Sequence, residues 1–329
     1  MKNLTGRLEK EMVFYSKMEQ KLKYMPKIMT DYYTALRANR KSYTSIGVYI
    51  NNVMHLATFL YEDNIPEDFY KQICISDIER YFISLETRVT ANGIKRTGDD
   101  VLQQRWSTLN NFFEFLVKRN FLDENPIVAV DRPKNQTEHK VTYLTKVEIN
   151  RLIRTIKKHN NDPMALRDST IIQLAIATGL RAEALMNINI EDIDFENQTL
   201  SVIEKRKKVR ELDLGDKIIE TIHGWINVRN KTFGEIDTTA LFVSQKKQRL
   251  SAKAANDMLK KWCTEAGIEK KITMHKLRST AACTLAKNDI PLKTIMKQLG
   301  HTNAAVTQRY LDAFAEDQKK ATKVLDDIF

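Results

Sequence analysis

Apolar residues recur at helical spacing through most of the chain. In the segment that starts at Ser42, Ile46, Tyr49, Ile50, Val53, Leu56 and Leu60 form an i, i+3, i+4, i+7 stripe. RWSTLNNFFEFLVKRN sets Trp106, Leu109, Phe112, Phe113, Leu116 and Val117 on one face, which reads as a core stripe. Residues 4–23 are a more polar amphipathic stretch, with Leu4, Leu8, Met12, Tyr15 and Met18 or Leu22 near helical spacing. SDIERYFISLE opens with Ser76 as N-cap and Glu79 three residues on, the pattern of a capping box. These segments predict a compact helical domain of about four helices. The run NPIVAVDRPKNQTEHK (125–140) has two prolines, many charges and no periodicity, which is the character of a linker. The division expected is a domain over 1–132 with a leading helix in 1–25, a linker over 133–141, and a second domain over 142–329.

The second part opens with YLTKVEINRLIRTIKKH, a helix capped by Thr145 with Glu148 closing the box. RDSTIIQLAIATGLRAEALMNI predicts a helix pair broken near Gly179, because Thr-Gly interrupts an apolar run. QTLSVIEKRKKVRELDL reads as a hairpin: two short strands rich in Val, Ile and Leu flank a basic tip. Further helices are expected at 215–230, 251–266, 275–287, 291–299, 303–311 and 314–329, with LFVS (241–244) as one more strand. The fold class is therefore mainly α with a small antiparallel β-sheet: a helical N-terminal domain followed by an α+β domain. Only ten Gly and six Pro in 329 residues agree with long, uninterrupted elements.

Composition narrows the class of partner. The chain is 42% hydrophobic and 29% charged, so it can bury a core and is not of disordered type. Its net charge of +11 points to an anionic partner, nucleic acid foremost, although a merely solvated surface would look the same. Lys and Arg exceed Asp and Glu by 3 in residues 1–140 and by 8 in residues 141–329, which places the excess in the second part. Cys74, Cys263 and Cys283 fit neither a disulfide framework nor a zinc site and read as small buried hydrophobes in a reducing interior. The six histidines are scattered without ligand spacing, so zinc chemistry has no support. The charged first residues show no secretory leader, and no window approaches the ~20 apolar residues of a membrane span, so a cytoplasmic protein is expected.

Five features of the second part carry candidate chemistry. Arg181 follows the Gly-containing break and can aim its planar fork at an anion, though an ordinary surface arginine is the commoner case. Lys205, Arg206, Lys207, Lys208 and Arg210 crowd the hairpin tip, either as a solvated end or as a basic finger for a nucleic-acid groove. His275 and Arg278 stand three apart at a helix start and so share a face. His301 sits in a turn between Gly300, which ends one helix, and Thr302 or Asn303, which caps the next. Tyr310 lies in that next helix, where a tyrosine is more often core than nucleophile. Each residue type answers one need of a single reaction: a phenol as nucleophile, two arginines for the non-bridging phosphate oxygens, a lysine as acid and histidines to manage protons.

TGLR at Arg181, a hairpin lysine, HKLR over 275–278 and LGH followed by Tyr310 resemble, in this order and spacing, the tyrosine recombinase (phage integrase) family. The style is nearest that of the Xer and transposon integrases, and the likeness covers the whole second part. The resemblance implies the two-domain DNA-breaking-rejoining architecture, with a helical core DNA-binding domain and a catalytic domain. It implies that Arg181 and Arg278 hold the scissile phosphate, Lys205 is the general acid, His275 assists proton transfer and His301 stabilises the transition state. Tyr310 would form a 3′-phosphotyrosyl bond, and strands would be exchanged through a Holliday junction without a metal or any other cofactor. Double-stranded DNA recombination sites would be the partner, bound by a homotetramer with no membrane and with room for accessory proteins. The helix over 314–329, with Phe314, Ala321, Val324, Leu325, Ile328 and Phe329, would dock on a neighbouring protomer, the alternative being its own domain. Ala182-Glu183-Ala184-Leu185, Ser279 and the Arg206-Lys207 pair depart from the family pattern, and they leave Lys208 as a rival general acid. A type IB topoisomerase and a non-catalytic DNA-binding regulator are the alternatives. The target sequence and the choice among integration, excision and resolution stay open.

Overall fold

The structure, a computed structural model, describes residues 2–90, 93–134, 141–203, 209–234, 236, 238–300, 303, 304, 307, 308 and 310. Two compact units divide the chain, Met1–Glu138 and His139–Phe329. Six residues of the expected linker, 135–140, lie outside the described residues, as does the expected helix over 314–329.

The first unit holds helices α1 (Lys2–Leu22), α2 (Lys27–Ala38), α3 (Tyr43–Tyr61), α4 (Ile75–Leu85) and α5 (Asp99–Lys118), with a hairpin of β1 (Thr87–Thr90) and β2 (Gly93–Arg96). The two strongest apolar stripes form its centre. Ile46, Ile50, Val53 and Leu56 of α3 and Leu109, Phe112, Phe113 and Leu116 of α5 are all at 0% exposure. Neither α2 nor the hairpin follows from the sequence pattern used above. The hairpin is short and β2 is exposed along its length, so no buried face imposes a period of two on it.

Three expectations for this unit are corrected. α4 starts at Cys74, not Ser76, because the Asp77 carboxylate accepts the Cys74 backbone N–H at 3.0 Å and fixes the cap two residues earlier. Cys74 is accordingly exposed; only Cys263 and Cys283 are buried thiols. In α1, Met12 is 70% exposed, while Tyr15 packs against the core half-buried and Met18 and Leu22 are buried in it; the Leu4 and Leu8 side chains lie outside the described residues. The proline run also begins as part of this unit. A 3-10 turn over Pro126–Ala129 buries Ile127, and Trp106 Nε1 donates to Val130 O at 3.0 Å.

The second unit is organised around α7 (Pro163–Thr178), which packs against α6 (Lys146–Lys157), α9 (Asp216–Phe233) and α11 (Met274–Lys287). α6 begins as its sequence predicts, with Thr145 Oγ1 accepting from the Glu148 N–H and Glu148 Oε2 accepting from the Thr145 N–H. Helices α8 (Ala182–Met186), α10 (Ala252–Glu265) and α12 (Leu292–Leu299) complete the described helical set. The sheet is antiparallel, in the order β3 (Ile193–Asp194), β4 (Thr199–Ile203), β5 (Val209–Asp213). The segment 241–244 adds no strand to it. It makes a single bridge, Val243 with Arg249, and its carbonyls serve side chains instead: Trp225 Nε1 donates to Leu241 O and Arg167 Nη1 to Val243 O, both at 2.8 Å.

α7 is buried around most of its circumference, and it carries a buried ion pair. Arg167 donates through Nε and Nη2 to Asp168 Oδ1, and Trp262 Nε1 of α10 donates to Asp168 Oδ2 at 2.8 Å. Desolvation raises the Asp168 pKa, and the Arg167 charge opposes that shift.

α7 stops at Gly179, which takes the left-handed conformation at φ 62 and ψ 19. A Cβ at this position would stand 2.3 Å from Leu299 Cδ2 and 3.6 Å from the Ala281 methyl, so the backbone turn sits directly against α12 and α11. Gly179→Ala therefore combines a left-handed strain with an overpacked contact and is expected to cost roughly 1–3 kcal/mol. A Cβ added at Gly224, inside α9, would point into open space, and Gly224→Ala is expected to stabilise by about 0.5–1 kcal/mol. Thermal or denaturant unfolding of the two variants would show opposite signs; equal effects would contradict the close approach at Gly179.

Candidate active site

The candidate residues are positioned by helix ends. At the α7–α8 elbow, Thr178 Oγ1 donates to Leu174 O at 2.6 Å and the Gly179 N–H donates to Ala175 O at 2.9 Å. The backbone then extends through Arg181 (φ −69, ψ 148), whose carbonyl accepts the Leu185 N–H and starts α8. Arg181 is consequently an exposed side chain held at a rigid corner.

α11 supplies the second pair. Thr273 caps it, with Oγ1 accepting the Lys276 N–H, and His275 falls in the first turn. Arg278, one turn further, is 1% exposed, and its Nη1 donates to Gly179 O at 2.8 Å. A buried guanidinium is costly to desolvate, and the carbonyl at the negative end of α7 offsets part of that cost. His275 and Arg278 share a helix side as expected but differ in depth: the imidazole is open to solvent while the guanidinium is enclosed. Desolvation on its inner side lowers the His275 pKa, and the charges of Arg278, Lys276 and Arg181 lower it further. Arg278, Lys276 and Arg181 thus add positive charge around His275 in the first turn of α11, whose dipole end also favours an anion. Sequence reasoning missed Lys276 as part of this field; its place at the third residue of α11 was the available signal.

α12 closes the far side. It ends at Gly300, left-handed at φ 64, as its sequence predicts. His301 lies outside the described residues. Of the expected helix over 303–311, Asn303, Ala304, Thr307, Gln308 and Tyr310 are described, and all but Asn303 are helical. Tyr310 is 7% exposed and belongs to a small buried cluster with Ala281, Ala282, Cys283, Ile295 and Leu299, so it stands among α11 and α12 side chains next to the helix that bears His275 and Arg278.

The basic tip separates into two parts. Lys205, Arg206, Lys207 and Lys208 lie outside the described residues. Arg210 is the residue of this set that is described. It is half-buried in β5, opposite Val202, and Nη1 donates to Lys297 O at 3.0 Å and Gln298 O at 2.7 Å. Alternation with buried Leu212, two residues on, was the signal that would have found it. Among the described residues no group of three or more His, Cys, Asp and Glu is placed to hold a metal ion, and no helix is long and apolar enough to cross a membrane.

Residues 142–317 match the family described as the phage integrase family. The chain is 32% identical to tyrosine recombinase XerC of Caldanaerobacter subterraneus subsp. tengcongensis over 310 residues, which covers 88% of this chain and 83% of the relative. It is 30% identical to the XerC of Alcanivorax borkumensis, over 68% of this chain and 73% of that one. Among solved structures, the Tn1549 transposon integrase in complex with transposon right end DNA matches with a TM-score of 0.69 at 19% identity, over 89% of this chain and 99% of that one. XerH site-specific recombinase bound to palindromic difH substrate matches with a TM-score of 0.68 at 18% identity, over 88% of this chain and 82% of that one. The mainly helical architecture with a small antiparallel sheet is the fold of these proteins.

The field around His275 is directly measurable. In the DNA-free protein its imidazole should titrate below the ordinary value of 6.5, read from the Cε1 proton shift by NMR, and should move back up in Arg181→Ala. Because the folded pKa is the lower one, the unfolded chain takes the proton more readily, and this group's contribution to stability is lost as pH falls below about 6.5. A midpoint at or above 6.5, or one indifferent to Arg181, would contradict the arrangement.

Proposed function

The chain belongs to the phage integrase family and is a tyrosine recombinase, and from that premise we propose that it cuts and rejoins double-stranded DNA at specific recombination sites through Tyr310. The observation that carries this reading is the cationic corner formed by Arg181, Lys276 and Arg278 around His275, on the helix whose side chains pack against Tyr310. Such a corner suits one phosphodiester. The relatives described in complex with transposon end DNA and with difH support DNA as the partner.

In the proposed reaction Arg181 and Arg278 bind the non-bridging oxygens of the scissile phosphate, where charge builds as the phosphoryl group transfers. The Tyr310 oxygen forms a bond to phosphorus while the bond to the 5′-oxygen breaks, leaving a 3′-phosphotyrosyl ester and a free 5′-hydroxyl. Lys205 delivers the proton that the departing oxygen needs, and His275 accepts the proton that the phenol gives up. His301 supports the charge on the phosphoryl oxygens. Attack by the 5′-hydroxyl of a partner strand reverses these steps, so the ester energy is kept and no nucleotide hydrolysis enters. Two such exchanges through a Holliday junction, made by four protomers on two sites, complete the proposed recombination.

The test is a covalent trap. The protein is incubated with a pool of nicked duplexes of randomised sequence, and DNA that stays attached in denaturant is isolated and sequenced. Wild type should give an adduct that survives chelation of metals, and Tyr310→Phe should give none. Arg181→Ala should reduce adduct formation roughly 100- to 1000-fold, the usual loss for one preorganised donor to a transition-state oxyanion. As an exposed residue, it should change stability by no more than about 0.5 kcal/mol. DNA binding without an adduct from wild type would instead favour a regulatory DNA-binding protein.

A further inference from the structure

β4 and β5 are the arms of the hairpin whose connection, residues 204–208, contains Lys205. Exposure alternates along β5: Val209, Glu211 and Asp213 are exposed, Arg210 is half-buried and Leu212 is buried. The register pairs Leu200 with Leu212 and Val202 with Arg210, and Leu200, Val202 and Leu212 are all buried. Arg210 therefore stands in the inward-facing row of the sheet, where a cation needs acceptors close by. It finds them outside its own sheet, in Lys297 O at 3.0 Å and Gln298 O at 2.7 Å. Both carbonyls belong to the last turn of α12, whose dipole end is negative, and Lys297 O also accepts the Gly300 N–H at 3.2 Å.

That same turn of α12 is gripped from two further directions. Gln298 Nε2 approaches Ala177 O at the end of α7 at 3.4 Å, and Leu299 fills the space that the missing Gly179 side chain leaves. Gly300 then turns the chain out of the helix towards His301 and Tyr310. One helical turn thus joins the hairpin, the elbow that carries Arg181 and the start of the segment that carries the tyrosine.

We infer that Arg210 is a positioning residue for strand cleavage: it locks the β4–β5 hairpin to the C-terminal turn of α12 and so fixes the base from which the Lys205 connection reaches the scissile phosphate. The inference rests on the proposed function, and in this role Arg210 touches neither DNA nor a reacting atom. It has the chemistry for a strut. Both bonds leave one nitrogen, Nη1, at the far end of a long side chain, so the guanidinium spans the distance from β5 to two neighbouring carbonyls of α12. A DNA-contacting cation would be expected to stand with the solvent-facing residues of β5, and Arg210 stands opposite them.

A leaving-group experiment tests the idea. The full chain and the duplex that wild type selects from the randomised pool are used, with the departing 5′-oxygen either kept or replaced by sulfur. A thiolate departs without being protonated, since thiols ionise near pH 8.5, so the sulfur substrate has no need of a general acid. Single-turnover cleavage and binding are measured for wild type, Lys205→Ala, Arg210→Ala and Arg210→Lys. Arg210→Ala should bind DNA with unchanged affinity and salt dependence and cleave the oxygen substrate about 100-fold more slowly, the loss typical of a 1 Å misplacement. On the sulfur substrate it should recover most of that loss, and Arg210→Lys should fall between it and wild type. If Arg210→Ala does not fold, Arg210→Lys carries the same comparison. An equal loss on both substrates overturns the inference, as does weaker binding with a salt slope reduced by about one, the mark of a lost phosphate contact. Lys205→Ala reports separately on the general acid: absence of sulfur rescue there would overturn the role given to Lys205 and would leave the Arg210 comparison to be decided on its own result.

Discussion

The second unit depends on one contact, the hydrogen bond from the enclosed Arg278 guanidinium to the carbonyl of Gly179. It joins the N-terminal half of α11 to the C-terminal end of α7, and it forms only because Gly179 adopts a left-handed turn that points its carbonyl inward and lets Leu299 approach. A charge at 1% exposure tolerates few other positions. The elbow that carries Arg181, the helix that carries His275 and the end of α12 are therefore fixed together by the need to satisfy one buried cation.

The rest of the unit holds the ends of that contact rigid. α7 is enclosed by α6, α9 and α11, and its Arg167–Asp168 pair is tied to α10 by Trp262 and to the 240s segment by the Val243 carbonyl. Removing either member of such a pair leaves an uncompensated charge, so its geometry is narrowly defined. The hairpin joins the same frame through Leu200, Val202 and Leu212, which are buried in the unit's core, and through Arg210. Phosphoryl transfer asks a protein mainly for fixed charges in fixed places, and a frame of helix ends clamped by buried cations supplies that.

Much of this was legible along the chain. The α3 and α5 stripes predicted the first unit's core because period 3.6 and full burial act on the same residues. The Thr145–Glu148 box, the break at Gly179 and the end of α12 at Gly300 were legible because capping and left-handed turns are local chemistry. Ser76 failed as a cap for an equally local reason, since Cys74 and Asp77 offered a competing box. β2 carried no readable pattern because an exposed strand needs no alternation.

The sequence by itself determined the family, the helical class with its small hairpin, and the candidate set from Arg181 to Tyr310, because motif spacing, caps and periodicity are encoded within a few residues of one another. Only the tertiary structure decided depth and partnership. His275 and Arg278 look equivalent three residues apart, yet one is open and the other enclosed. Arg210 looks like one more cation of a basic run, yet its guanidinium is held by the end of α12. Burial and long-range hydrogen bonds depend on which elements meet in space, and no local pattern records that meeting.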